Sequence, residues 1–305
     1  MERSNIDDNV KNVEKFYESF LAFTESIFSL LTDKNELDYN SVQRKINQTI
    51  DIVRSNRNLM VYVMQTAKKW KNPHVSHAGR SCLIALIIGI EMKLTRNWLV
   101  ELGIAGLLCN IGVLKLSDWI YTKRKGGFNL LNSGTEYEQK LLFVHPIHAH
   151  KTLKSFGFPL PICEAVLHHH ELEDGTGFPQ GLKGDGVCFY GKVLSVAGYY
   201  EAFSTDETAI IKNGHEGMIN ILKNNGRFDA SVIRALINSI SVYPIGIHVL
   251  LSDGRHGQVV GLSPENPRFP IVNILGKKHN KAVQTSGELS VARPLTVEEI
   301  GLYGK

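Results

Sequence analysis

From Ser76 to Ser241 the chain repeats apolar residues at the three-to-four-residue spacing of helices, and nowhere in that span does it alternate as a half-buried strand does. The helical stretches are Ser76 to Met92, Asn97 to Leu108, Glu136 to Phe156, Pro161 to His170, Lys192 to Phe203, His215 to Asn224 and Asp229 to Ser241. Such a run cannot hide its apolar stripes in a sheet and must bury them helix against helix. With 305 residues, 43% of them hydrophobic, the chain can build that core and has the length for about two domains.

Before this span, Val13, Phe16, Phe20, Phe23, Ile27 and Leu30 mark an amphipathic helix from Val10 to Leu31. "LLTDKNELD" breaks it, and Val42, Ile46, Ile50 and Val53 begin a second helix that continues through Val63, Ala67 and Trp70. Residues 1–70 therefore read as a helical hairpin, able to pack on the next domain or to form a homodimer. "KWKNPHVSH", with the first proline of the chain, marks a boundary to a domain over 71–242. After Pro244 the pattern changes: "GIHVLLSDGRHGQVVGL" is a pair of β-rich runs around the Asp253-Gly254 turn, and "FPIVNIL" offers a third. This predicts a small β-hairpin appendage over 243–276, followed by a loose polar tail over 277–305. The expected class is mainly α.

Several functions are excluded at this level. The longest apolar run, Leu83 to Ile90, falls short of the ~18 residues of a membrane span, and the polar, acidic "MERSNIDDNVKN" is no signal peptide. Cys82, Cys109, Cys163 and Cys188 lie far apart without a CxxC pair, which argues against both a disulfide framework and a cysteine zinc knuckle. A cytoplasmic location is the expectation. The net charge of +4 comes without interleaved aromatics, so no nucleic-acid surface is implied, and the basic run "TKRKGG" reads as a solvated loop.

Chemistry concentrates in the histidines. Six of the twelve fall between His145 and His170. His145 and His148 in "HPIHAH" share a helical face. His168 to His170 end a helical run, where successive side chains diverge by about 100°, so at most two of the three can aim at one centre. Imidazole is the commonest metal-binding side chain, and a gathering of this size points to a present or ancestral metal site.

"HHELEDGTGFPQGL", His169 to Leu182, resembles the HHExxDGxGYPxGL signature of the HD-GYP domains, all-helical bacterial phosphodiesterases that hydrolyse cyclic di-GMP at a di- or tri-iron centre. The similarity extends from His77 to Val242, and the β-rich segment beyond it resembles an appendage found on many such chains. The resemblance implies an HD-GYP-type helical bundle with His77, His145, His169 and His170 as metal ligands. It implies a ligand-binding loop of Asp174, Gly175, Gly177, Phe178 and Pro179, with Phe178 in the tyrosine position, and Lys192 in place of an arginine.

The rest of the family's site is altered. The histidine-aspartate dyad and the lysine of "LLHDIGK" appear as Cys109, Asn110 and Val113 in "LLCNIGV"; a later aspartate is Gly198, a glutamate is Pro73, and the glycine after His145 is Ala149. Further on, "DRPY" has become "DETA", with Glu207 in the place of a cation. A bridging carboxylate lets two dications sit side by side, and neutral Asn110 lacks that charge. The resemblance therefore implies no intact di-iron centre. It leaves open one iron, zinc or manganese ion on the histidines, with His148 as a further ligand and Cys109 as a soft one if deprotonated.

The function expected is that of a degenerate HD-GYP-like protein, a catalytically impaired binding or regulatory module in bacterial cyclic di-GMP signalling, with cyclic di-GMP or a protein as partner. The alternative is a metal-dependent cyclic di-GMP phosphodiesterase or phosphohydrolase working with a reduced, histidine-rich centre.

Overall fold

A computed structural model describes residues 2–67, 70–115, 136–204, 214–263, 265–275, 281–296 and 299–300. "TKRKGG", "DETA" and the start of the expected tail at Lys277 lie outside the described residues. The helices are α1 (Glu2–Asp33), α2 (Tyr39–Thr66), α3 (Pro73–Glu91), α4 (Arg96–Leu108), α5 (Glu136–Phe143), α6 (His145–Ser155), α7 (Leu160–His168), α8 (Phe189–Ser204), α9 (Gly214–Lys223) and α10 (Ala230–Ile240). A 3-10 turn, Ile111–Lys115, follows α4.

Local chemistry sets the helix starts. Asp38 caps α2 by accepting from the amides of Asn40 and Ser41, Asn72 caps α3 at His74 and Val75, and Asp229 caps α10 at Ser231 and Val232. One expected helix is two. Glu136 to Phe156 breaks at Val144, because Pro146 has no N–H to continue the ladder and is tolerated only in a first turn.

One continuous core runs through all of these layers. Phe20 and Leu21 of α1, Ile46 and Ile50 of α2, Leu83 and Ile87 of α3, Leu102 and Leu107 of α4, Val193 of α8 and Leu236 of α10 belong to a single buried cluster. The boundary expected at residue 70 therefore does not divide the core: α1 and α2 lay their apolar faces on α3 and α4. Leu30, expected on the buried stripe, is 38% exposed, while Tyr17, Leu21, Phe28 and Leu31 are buried. A helix covered by two neighbours buries a wider face than a single stripe.

The β-rich end differs from expectation. It forms a five-stranded antiparallel sheet in the order β4-β3-β2-β1-β5, with β1 (His248–Leu251), β2 (His256–Gly261), β3 (Ile271–Ile274), β4 (Lys281–Gln284) and β5 (Val291–Pro294). The hairpin turns at Gly254, whose φ of +85° suits glycine. β4 and β5 fall in the segment expected to be a loose tail. They were illegible because each is four residues long and its pairing partner is remote in sequence, Val249 with Pro294 and Val272 with Val283. Ile247, Val249, Leu251, Val259 and Val272 give the sheet its own small core.

One stretch, Arg96–Lys115, has the length and apolar character of a membrane span, against the expectation that none would, and it is 78% buried within the protein. It comprises α4 and the 3-10 turn, and its apolar character serves the core, which surrounds it on several sides.

If α1 is part of the main core, Phe20→Ala should lower the stability of the whole helical body by about 3–5 kcal/mol. Urea unfolding followed by circular dichroism should show one shifted transition; an early transition limited to residues 1–70 would contradict the single core.

Candidate metal centre

The centre begins with Pro146. Its missing N–H leaves the carbonyl of Leu142, in the last turn of α5, without its helical donor, and His145 Nδ1 takes that place at 2.6 Å. His169 does the same at the end of α7, with Nδ1 2.7 Å from the carbonyl of Val166. A carbonyl only accepts, so both Nδ1 atoms carry the proton, and in the neutral rings both Nε2 atoms are acceptors. These two Nε2 atoms face each other at 3.2 Å.

Two lone pairs so placed repel unless a proton or a cation lies between them. Imidazole nitrogens bound at about 2.0–2.1 Å to one tetrahedral ion stand about 3.3 Å apart, so the spacing fits a metal. His170 completes the set: ligand atoms of His145, His169 and His170 all lie within 4.8 Å of one another. His145 is fully buried and His169 is 4% exposed.

Of the three consecutive histidines, His168 points elsewhere, its Nδ1 accepting from the amide of Cys188 at 3.2 Å. Burial lowers its pKa. His148, one turn after His145 on α6, is half-buried and outside the three-histidine set.

The signature loop stands over the set. Phe178 stacks on the ring of His170 at 4.5 Å and on Phe143 at 4.4 Å. Gly177 sits against the backbone, where a Cβ would fall 2.5 Å from the carbonyl oxygen of His170, so no larger residue fits without moving the chain. Gly175 has φ +80° at the turn. The loop is anchored by Glu171, fully buried, which accepts from the amides of Gln180 at 2.6 Å and Leu182 at 2.8 Å.

A cavity of about 240 Å³ opens beside the centre, lined by His77, Asn110, His169, His170 and Phe178 with Gly198, Arg227 and an aromatic wall of Tyr199, Phe203 and Phe228. Of the loop residues expected to bind ligand, Gly177 and Phe178 line this cavity. Asp174, Gly175, Pro179 and Lys192 do not, and the reason is local. Asp174 accepts from the amide and hydroxyl of Thr176 and lies 3.8 Å from Arg227 Nε. Partial burial opposes its charge, but those partners outweigh it and hold its pKa below the ordinary value. Lys192 pairs with Glu173 at 2.8 Å and lies 3.8 Å from Asp229.

Of the altered positions, Cys109, Asn110 and Gly198 line the same cavity. Asn110 donates from Nδ2 to Cys109 Sγ at 3.3 Å, which turns its Oδ1 the other way; that oxygen is buried and finds no hydrogen-bond partner among the described residues. Burial pushes the Cys109 thiol up to about 12, and its Sγ lies 3.4 Å from the carbonyl of Gly106, outside the three-histidine set. Val113 is buried at 1% exposure and supplies no charge. No described residue comes within 4 Å of where a Cβ at Gly198 would stand.

His77 lies across the cavity and outside the three-histidine set. Its Nδ1 bonds to Glu201, which also accepts from Arg80 Nε at 3.1 Å. Burial opposes the Arg80 charge, yet Tyr17 and Glu201 more than offset it and raise its pKa. Sequence reasoning missed Glu201, Glu171 and Arg227. Glu201 was within reach, three residues after Gly198 on a helix and hence on the same face; "NNGRFD" carries no signal that would single out Arg227.

Because Glu171 satisfies two buried amides at once, Glu171→Ala should cost about 2–4 kcal/mol. It should also loosen residues 174–182, read as faster cleavage there in limited proteolysis; an unchanged cleavage rate would contradict the anchoring role.

The pattern of the HD domain matches residues 32–232 of the chain. A cyclic di-GMP phosphodiesterase of Borreliella burgdorferi, PdeB, is 29% identical over 223 residues, covering 72% of this chain and 56% of that protein. A cyclic di-GMP phosphodiesterase of Pseudomonas aeruginosa is 30% identical over 200 residues, covering 64% of this chain and 47% of that protein. The chain thus spans about half the length of these curated relatives. Among solved structures, Bd1817, an HDG"Y"P protein from Bdellovibrio bacteriovorus, superposes with a TM-score of 0.58 over 77% of this chain and 78% of its own, at 15% identity, and so shares the fold. The helical body that brings these histidines together is therefore a family inheritance: the chain belongs to the HD-domain family and, within it, to the HD-GYP group.

Proposed function

We propose that this chain recognises cyclic di-GMP at a one-metal, three-histidine centre and acts as a binding or regulatory module in which two-metal hydrolysis is lost. The observation that carries this reading is the paired geometry of His145 and His169, whose Nε2 atoms converge at 3.2 Å on a side where Asn110 and Gly198 offer no carboxylate. Iron, zinc and manganese are the candidate ions, and three imidazoles suit iron or zinc better than manganese.

When bound, such an ion supplies a Lewis acid for a phosphoryl oxygen. The chain's own residues do the rest. Phe178, already stacked on Phe143 and His170, and the wall of Tyr199, Phe203 and Phe228 offer flat apolar surfaces to a base. Arg227, 37% exposed at its side chain, offers a guanidinium to a phosphate at the cavity. The family lysine position, Val113, has no proton to give a leaving oxygen, which weakens the case for hydrolysis.

A second reading, a phosphodiesterase using the single reduced centre, is favoured by the names of the relatives, both cyclic di-GMP phosphodiesterases. Metal analysis of the purified chain should give one ion per chain, lost in His169→Ala. Calorimetry should detect cyclic di-GMP binding to the metal-loaded chain, weakened at least about tenfold by that substitution, with no turnover above the His169→Ala background. Two ions per chain with turnover that needs His169 would overturn the binding reading in favour of hydrolysis.

A further inference from the structure

Lys192 stands where three parts of the chain meet. It projects from the first turn of α8, the helix that brings Ser195, Gly198 and Tyr199 to the cavity. Its ammonium lies 2.8 Å from Glu173 of the signature loop and 3.8 Å from Asp229, at the turn between α9 and α10. Asp229 divides its oxygens: Oδ1 accepts from the amides of Ser231 and Val232, and Oδ2 is the one near Lys192. The lysine side chain is 13% exposed. Partial burial opposes its charge, but Glu173 and Asp229 outweigh that and raise its pKa, so the group is a cation at neutral pH.

The two segments that carry these acids are also joined directly. The amide of Glu173 donates to the carbonyl of Arg227 at 2.9 Å. The Arg227 side chain reaches back over the same junction, with Nη2 donating to Thr176 Oγ1 at 3.4 Å and Nε 3.8 Å from Asp174. Phe228, the next residue, meets Tyr199 of α8 edge to face at 5.0 Å. Arg227, Phe228 and Tyr199 line the cavity, and Lys192 does not. Two carboxylates brought to one junction repel each other unless a cation stands with them.

We infer that Lys192 is a positioning residue for ligand binding: by tying Glu173 to Asp229 it fixes the Arg227–Phe228 turn against the signature loop, and so sets how a guanidinium and a ring are presented at the cavity. A guanidinium held in place beforehand loses less freedom when a phosphate arrives, so an unclamped turn binds more weakly although every contact residue is still present. The inference rests on the cyclic di-GMP reading above and gives Lys192 a part in it that runs through Arg227 and Phe228, not through contact with the ligand.

Hydrogen exchange and calorimetry with cyclic di-GMP, both on the metal-loaded full chain, test this together. Lys192→Met keeps the stem and removes the charge. It should speed amide exchange in residues 171–187 and 224–229 at least about threefold and weaken cyclic di-GMP binding about tenfold. Lys192→Arg should restore both to within about twofold. Arg227→Ala should weaken binding about tenfold by itself. The double variant should be no more than about twofold weaker than Arg227→Ala, because residues acting as one unit do not add. If Lys192→Met does not fold, Glu173→Gln opens the same ion pair from the loop side and takes its place in the cycle. Losses that multiply in the double variant, or parental affinity in a folded Lys192→Met chain, overturn the inference and spare the binding reading. Parental exchange in both segments overturns the clamp. No binding by the unaltered chain overturns the cyclic di-GMP reading and the role in it given to Lys192.

Discussion

A buried guanidinium holds the molecule's parts in register. Arg80, 8% exposed, reaches the carbonyl of Met64 on α2, the hydroxyl of Tyr17 on α1 and the carboxylate of Glu201 on α8 from its own place on α3. A charge so deep is tolerated only when its hydrogen bonds are made, so all four helices are obliged to meet there. Glu201 in turn holds His77, which ties the N-terminal helices to the wall of the cavity. The same constraint explains why α1 and α2 share the main core and do not stand apart from it.

The metal centre depends on a second economy, the use of carbonyls that helices leave over. Leu142 loses its donor to Pro146, and Val166 lies at the end of α7; each takes the Nδ1 proton of a histidine and thereby fixes the tautomer of its ring. Both Nε2 atoms are then aimed at one point by backbone geometry, with no carboxylate needed to orient them. The imidazoles are thus arranged for a cation by the backbone that holds them.

The signature loop serves the centre as much as any ligand. Its acids and Lys192 are engaged in building the loop, through Asp174 with Thr176, Lys192 with Glu173, and Glu171 with the amides of Gln180 and Leu182. Of Asp174, Gly175, Gly177, Phe178 and Pro179, the loop residues the family resemblance marks, Gly177 and Phe178 come to the cavity itself.

The sequence alone determined the helical class, the β-rich end and the three ring systems of the centre, because period, turn residues and the HP and HHE patterns act over a few residues. It also determined that Cys109, Asn110, Val113 and Gly198 carry no charge of their own to these positions, since that is a matter of identity. Tertiary structure decided what those identities do: that His148 and His168 stand aside, that Cys109 is buried, that Asn110 Oδ1 is buried without a hydrogen bond among the described residues, and that β4 and β5 complete a sheet. Each of these depends on groups far apart in the chain meeting in a low-dielectric interior or across a ladder, and no local pattern records such a meeting.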